Sequence, residues 1–321
     1  MKSLLTLLLV LLVCTCGRAQ DSLHVLARPY GDSITFRWAP TTFAAWRQMR
    51  ENGVVLERRE LGTGPTFRPV HGDRLQAFDV EDFRTLTNTD DPHIVAVAEA
   101  LHGEAISTAP PSGPLGQARE KKDEQDQRLF LALLNADLSA AAAHALGWRW
   151  TDKSVQRGRA YEYRVRVLPA EGQVGPGLMS APLRVKATDK YPFGPVFNLQ
   201  HTASERKVTL LWDKSPNDQM FLAYYLEVSD DGQNFTRINS VPLVKEAQEE
   251  FFEHPLELEE NYRPRYYRVR GVNVFAEIGP PSAVVRAQGV DKTAPAAPRQ
   301  VKASDRRDGS FQVASILPGS Y

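Results

Sequence analysis

The sequence predicts a mainly β protein: tandem antiparallel β-sandwiches, the first of them carrying an α-helical insertion. Three observations lead there. Two stretches repeat one another, Ser33-Ile-Thr-Phe-Arg-Trp-Ala-Pro40 and Lys207-Val-Thr-Leu-Leu-Trp-Asp-Lys214, each a strand with one tryptophan near its end. Each is followed by the same tetrad, Tyr163-Arg-Val-Arg166 and Tyr267-Arg-Val-Arg270, then by Gly-Pro, Ser-Ala and a last apolar strand, Leu183 to Ala187 or Val284 to Ala287. Within the tetrads the apolar residues alternate. Tyr163, Val165 and Val167 share one face while Glu162, Arg164 and Arg166 share the other, as in an antiparallel sheet that covers a core. Repetition at this period indicates a modular array. The 22 prolines and 21 glycines, scattered among short alternating runs, fit an all-β frame.

The chain opens on a leader. Lys2 supplies a positive charge, Leu4 to Val13 is apolar apart from Thr6, and Gly17 and Ala19 place small residues before a cleavage point at Gln20. This is a secretory signal pattern, too short for a membrane span. No later stretch reaches the ~20 apolar residues a membrane span needs. The expectation is a secreted or cell-surface protein, periplasmic or outer-membrane-attached locations included. Cys14 and Cys16, the two cysteines, both lie in the leader, so the mature chain has no disulfide, thiolate metal site or cysteine nucleophile. Lipid attachment at one of them is the rival reading, although Val13 and Thr15 are bulkier than that processing prefers. Lys+Arg and Asp+Glu number 39 each, and removing Lys2 and Arg18 leaves 37 against 39. A near-neutral chain with scattered charges gives no electrostatic case for nucleic acid.

The segments follow in order: a leader over 1–19, a first module over 20–188, a second over 189–289, and the incomplete start of a third over 290–321. From tryptophan to tetrad the first module spans 125 positions (38 to 163) and the second 55 (212 to 267). The excess of about 70 residues is larger than an ordinary loop. It follows the third strand, Val54 to Leu61, and places the insertion at about 65–147, before a strand that begins near Trp148. Its pattern is helical. Asp91-Pro92 reads as an N-cap and first helical position, with Ile94, Val95, Ala98 and Leu101 on one face and Gly103 as terminator. A second helix places Phe130, Leu133, Leu134, Leu138, Ala141 and Ala145 at helical spacing before Gly147. A shorter helix fits Asp79 to Leu86, and Ser107 to Gly116 reads as a mobile link. Asp231-Gly232 suits a tight primed hairpin turn. The joints repeat as well, Asp189-Lys190-Tyr191-Pro192 and Asp291-Lys292-Thr293-Ala294-Pro295, with prolines that stiffen them. Beyond the second joint Val301 and Phe311 to Ile316 supply two candidate strands. Two strands do not close a sandwich, so the sequence is read as truncated, with Arg299 to Tyr321 poorly ordered.

These features resemble the fibronectin type III family, in its secreted bacterial cell-surface form, from Asp21 to about Val70 and from Trp148 onward. The resemblance rests on the second-strand tryptophans Trp38 and Trp212, and on Val155, Gly158 and Tyr161, which match the family's corner. It implies immunoglobulin-like sandwiches of seven strands with Tyr161 bonded back to nearby backbone. Arg157 departs from the family's proline. In the second module Arg265 stands where the corner tyrosine is expected, and Tyr262 is its candidate substitute. The fold hosts many unrelated roles, so the resemblance implies architecture and not activity.

No catalytic, cofactor or metal site is expected. The seven histidines show no ligand spacing, and His102 and His144 sit near helix C-termini, where the dipole favours them. Asp79, Glu81, Asp82, Asp90, Asp91 and Glu104 lie mostly at helix starts, where capping accounts for them better than a glycosidase pair does. No nucleophile elbow, phosphate loop or dinucleotide fingerprint occurs. Arg119 to Arg128 mixes signs and reads as a solvated helix face, and Asn234-Phe235-Thr236 is a glycosylation sequon or a plain turn. Trp46, Trp148 and Trp150 are the candidate partner-binding residues. They either stack on sugar rings from an exposed face or cover the seam between insertion and sandwich, and the second is favoured because large aromatics bury most of their area. The functional expectation is a non-catalytic secreted or surface module, a spacer, adhesin or scaffold that binds a protein or surface glycan. The alternative is an accessory, carbohydrate-binding region of a larger secreted enzyme such as a polysaccharide hydrolase. The insertion is the expected recognition element, being the largest addition to a rigid frame.

Overall fold

A computed structural model describes residues 23–86, 91–103, 113–170, 172, 175, 177–244, 250–292, 299–306 and 308–316. The expected leader, 1–19, lies outside them, as do Asp90, Glu104 and most of the Ser107–Gly116 link. The chain is mainly β, as the alternating runs require. It forms tandem fibronectin type III-like β-sandwiches, the first with a helical insertion.

In the first sandwich β1 (Leu23–Pro29), β2 (Ile34–Pro40) and β5 (Arg149–Asp152) form one sheet in the order β1-β2-β5. The facing sheet runs β4-β3-β6-β7, from β3 (Val54–Glu60), β4 (Arg68–Pro69), β6 (Ala160–Val167) and β7 (Leu183–Lys186). The pleat sends Ile34, Phe36 and Trp38 inward from one sheet and Val54, Leu56, Tyr163 and Val165 from the other, all buried. In the second sandwich β8 (Gln200–Ser204), β9 (Lys207–Asp213) and β13 (Phe251–Glu257) face a sheet of β10 (Ala223–Ser229), β11 (Thr236–Arg237), β14 (Arg265–Val272) and β15 (Val285–Ala287). A two-residue β12 (Leu243–Val244) adds to β10. Trp212 packs there with ring centroids 5.1 Å from Tyr224 and 5.7 Å from Phe252. The last strands, β16 (Arg299–Arg306) and β17 (Ser310–Ile316), pair as a hairpin.

The Ser-Ala repeat has a physical basis. The Ser180 hydroxyl accepts from Val165 N at 3.0 Å and donates to Ala181 O at 3.0 Å. Ser282 does the same with Val269 N at 2.9 Å and Ala283 O at 2.8 Å. In both sandwiches one hydroxyl satisfies a buried amide where the last strand has not yet joined the ladder. At the corner of the first sandwich Gln156 N donates to the Tyr161 hydroxyl at 2.9 Å. Tyr262 does not repeat this: it is 62% exposed and its hydroxyl donates to Asp291 O at 3.3 Å. The Asp-Gly hairpin is also longer than a two-residue turn. Residues 230–235 separate β10 from β11, and the Asp231 carboxylate caps the loop, accepting from Gln233 N and Asn234 N at 2.8 Å each.

Helix α1 (Phe43–Asn52) precedes the insertion, which itself adds α2 (Val80–Thr85), α3 (Pro92–His102), α4 (Gly113–Leu138) and α5 (Ala140–Ala145). α1 lies between β2 and β3 and was not legible in the sequence; Thr42 Oγ1 caps it, accepting from Ala45 N at 3.1 Å. α2 begins with a reciprocal capping box between Asp79 and Asp82. The expected faces of the two main helices are rotated. Ile94, Val97, Ala100 and Leu101 are buried in α3, whereas Val95 is 58% exposed. In α4 Ala132, Asn135 and Ala136 point inward, whereas Phe130 is 65% exposed. The single helix expected up to Gly147 is two, because Ser139 is extended, with φ −138°, and its hydroxyl caps α5 at Ala142 N. That hydroxyl also meets Asp91 Oδ2 at 2.9 Å, tying the start of α5 to the start of α3. Arg128 closes the far end of α3 by donating to Gly103 O at 2.8 Å and Glu99 O at 3.2 Å.

The helices are not an appendage. Val97, Ala100, Leu101, Ala132, Ala136, Ala142 and Ala143 belong to the same buried cluster as Trp38, Leu56 and Val165. Trp46 of α1 and Trp148, just before β5, meet edge-on within it at 6.0 Å. Arg37 of β2 reaches α4 through this apolar wall. Its Nη2 lies 3.1 Å from Asp137 Oδ1, an ion pair outside hydrogen-bond geometry, and its guanidinium sits 5.3 Å from the Trp148 ring. Burial pulls the Arg37 pKa down to about 10 despite Asp137, and it pushes the Asp137 carboxyl up despite Arg37. The pair therefore adds little net stability while joining α4 to β2.

Truncating Trp38 or Trp212 to alanine removes a buried tryptophan from its core, and each change is expected to cost ~3–5 kcal/mol in denaturant unfolding. A loss below ~1 kcal/mol would place that tryptophan outside a load-carrying core.

Candidate functional site

The three candidate tryptophans are placed apart by the structure. Trp46 and Trp148 have 0% and 0% exposure, so neither presents a face to a partner. They fill the seam between insertion and sandwich. Only Trp150 keeps accessible surface, and His71 stacks on it at 4.7 Å, with burial holding the His71 pKa below its ordinary value. The alternation that puts Trp148 and Trp150 on one strand face is visible in the sequence. The helices that cover one of them and leave the other half open are not.

Several of the described histidines and carboxylates of the insertion have structural partners. His93 Nδ1 lies 2.8 Å from Asn135 Oδ1, and His102 Nε2 lies 2.9 Å from Phe78 O. Asp79 and Asp91 cap helices. Among the described residues no three His, Cys, Asp or Glu gather as metal ligands. No described helix is long and apolar enough to cross a membrane.

What the sequence reading missed is an arginine-carboxylate lattice on the tetrad sheets. Glu57 of β3 stands opposite Arg164 of β6, accepting from Arg164 Nε at 2.7 Å and Arg166 Nη2 at 2.7 Å. Glu162 accepts in the same way from Arg59 Nε and Arg184 Nε, both at 2.6 Å. Phe67 lies between two of these cations, 4.8 Å from the Arg59 guanidinium and 4.2 Å from that of Arg164. The second sandwich repeats the device: Glu227 of β10 takes Arg268 Nε at 2.5 Å and Arg270 Nε at 3.1 Å, with Phe235 3.9 Å from Arg268. The signal was present in the Arg-Val-Arg tetrads, but only the strand register shows which glutamate each arginine meets.

At the end of the first lattice the two sheets are pinned by a buried carboxylate. Asp152 accepts from Arg58 Nη1 at 2.7 Å, from the Tyr163 hydroxyl at 2.8 Å and from Ser154 N at 2.8 Å. Burial lowers the Arg58 pKa, but Asp152 and Tyr163 raise it more, so Arg58 stays cationic above its ordinary range. Beside this pin opens a cleft of about 540 Å³, lined by Arg58, Arg59, Arg68, Thr63, Thr66 and Gln156 among others. It is larger than two clefts of about 390 Å³ that lie beside the Asp231 loop and between Arg47 and Gly177.

No family model matches the chain, and no curated protein matches it by sequence. A solved structure of the chicken interferon gamma receptor alpha chain aligns with it at 6% identity and a TM-score of 0.27, covering 83% of this chain and 96% of that one. A superposition that loose bears on neither fold nor function, and the fold rests on the sheets described above.

Glu57 sets an acid limit. Burial raises its pKa, but hydrogen bonds and charge from Arg166 and Arg164 outweigh this, and the carboxyl ends below its ordinary value. Its contribution to stability is then complete above the unfolded value of about 4.3 and is lost as pH falls through the lower folded value. Glu57→Gln is expected to be less stable at neutral pH and to lose less stability between about pH 5 and pH 3, measured by urea unfolding across that range. Parallel pH profiles for the two proteins would remove Glu57 from the acid response.

Proposed function

We propose that this chain is a non-catalytic, secreted or cell-surface binding scaffold that holds two β-sandwiches and their charged faces in one geometry. The observation that carries the reading is the junction between them. Arg28 of β1 lies 4.9 Å from the Tyr30 ring, 4.5 Å from Tyr191 and 5.4 Å from Phe193, the latter two flanking Pro192 of the linker. Glu277, in the β14–β15 loop of the second sandwich, accepts from Arg28 Nε at 2.9 Å, the Tyr30 hydroxyl at 2.5 Å and Asn273 Nδ2 at 2.8 Å. Burial together with Glu277 pushes the Tyr30 hydroxyl up to about 12, so it stays a donor at physiological pH. Adjacent domains move relative to one another by default. A cation held between rings and a shared carboxylate works against that default, which suits a platform or spacer more than a string of loose beads. Burial and partner geometry also give the conspicuous titratable groups a structural role. The leader pattern supports export, with surface attachment as part of the same proposal.

Two measurements test it. Distances between spin labels on the two sandwiches are expected to be narrowly distributed, and to broaden in Glu277→Ala while each sandwich keeps its own unfolding midpoint. Equally narrow distributions in both proteins would remove the clasp from the argument. The chain without its leader is also expected to bind saturably to surfaces of its source cells, or to an extracellular partner, without turning over peptide or polysaccharide substrates. Turnover by the isolated chain would end the scaffold reading.

A further inference from the structure

The cleft beside Asp152 contains an electrostatic imbalance that the fold does not resolve. β3 and β4 are antiparallel, and their register sets Arg58 directly opposite Arg68. Like charges at directly opposed positions repel. Arg58 is balanced by Asp152 at 2.7 Å, and Arg59 by Glu162. Glu60 is the carboxylate on the rim, and Arg159 engages it. Arg68 is exposed and has no carboxylate within ion-pair distance among the described residues. The imbalance therefore sits at one guanidinium that faces a 540 Å³ space. Around it stand exposed Thr63, Thr66 and Gln156, which can bond hydroxyls; the Thr63 hydroxyl donates to Glu60 O at 2.9 Å and keeps its acceptor lone pairs, whereas the Ser154 hydroxyl is engaged by Arg58 and Asp152.

We infer that this cleft binds an acidic glycan, with a carboxylate or sulfate ester on Arg68 and sugar hydroxyls on the threonines and Gln156. The inference rests on the scaffold reading above and names a ligand for it. Arginine offers planar, paired donors suited to both anions. An acidic peptide fits less well. A peptide would add as a strand to the β4 edge, but β4 is only Arg68–Pro69. Pro65 and Pro69 supply no N–H there, so the edge offers little for strand addition. The volume accommodates a few sugar units, and the polar rim suits their hydroxyl groups.

The probes are a heparin-derived hexasaccharide and an oligogalacturonate, which separate sulfate from carboxylate. Neutral malto-oligosaccharide and poly-glutamate are the comparators, and the chain without its leader is titrated by calorimetry and by amide chemical shifts. At least one acidic glycan is expected to bind, with shifts confined to residues around Thr63–Pro69 and Ser154–Gln156. Binding should weaken as salt rises from about 0.05 to about 0.3 M, as exposed charge pairs are screened. Arg68→Glu is expected to weaken it about tenfold or more, one charge-assisted contact being worth roughly that factor. Arg68 has no side-chain hydrogen bond or ion pair to lose among the described residues, so the variant should keep the parent's unfolding midpoint. Thr66→Ala gives a second, milder variant. The inference is overturned if neither acidic glycan binds, if Arg68→Glu binds as well as the parent, or if poly-glutamate binds as tightly as the glycans. Loss of glycan binding with saturable surface binding retained would overturn this inference and leave the scaffold reading standing. Turnover by the isolated chain would overturn the scaffold reading alone.

Discussion

The first sandwich depends on one requirement, the burial of Trp46 and Trp148. Both have no exposed surface, and the sheets alone do not enclose them. α1 brings Trp46 to the end of β2, and α4 and α5 bring the small side chains Ala132, Ala136, Ala142 and Ala143 that let helices approach the rings closely. That explains why so long an excess of residues is retained between the third strand and β5. It also changes the role expected of the insertion. A segment that shares a core with Leu56 and Val165 is part of the fold, so its removal would expose aromatic surface before it could report on binding. The second sandwich closes around Trp212, Tyr224 and Phe252 without such help.

Charge on the outer sheet faces follows from the same economy of strands. An antiparallel sheet with one dry face has one wet face, and here the wet face is filled by arginines that share glutamates across strands. Each glutamate serves two arginines, which orders long side chains in pairs; Phe67 lies between one arginine of each pair in the first sandwich, and Phe235 lies against Arg268 in the second. Exposed ion pairs contribute little singly, but networks with one partner buried are better ordered. The device occurs at equivalent register in both sandwiches, Glu57 opposite Arg164 and Glu227 opposite Arg268.

Much of this was legible in the sequence, where local chemistry decides. The strand tryptophans, the tetrads, the Tyr161 corner and the Asp79 and Asp91 caps are short-range signals, and the structure contains each of them. Signals that depend on tertiary placement were not. The exposed sides of Val95 and Phe130 follow from where α3 and α4 cross, and helical spacing alone fits neighbouring faces almost equally well. The break at Ser139 combines a local cap at Ala142 N with a bond to Asp91, 48 positions away, which helical spacing does not reveal. α1 was hidden because Thr42 caps a helix that carries few periodic apolar residues. The cleft was invisible for the same reason, since pairing Arg58 with Arg68 is a statement about register.

The clasp at Arg28 and Glu277 has a mechanical consequence. It consists of side-chain contacts, whereas each sandwich is held by ladders such as the seven-residue pairing of β1 with β2. Under tension along the chain, a few stacked rings and one carboxylate yield before a strand ladder shears. The tandem would then lengthen in a small reversible step, with both sandwiches still folded. A protein built this way absorbs a tug at its joint and spares its cores, much as a sprung hinge spares the door.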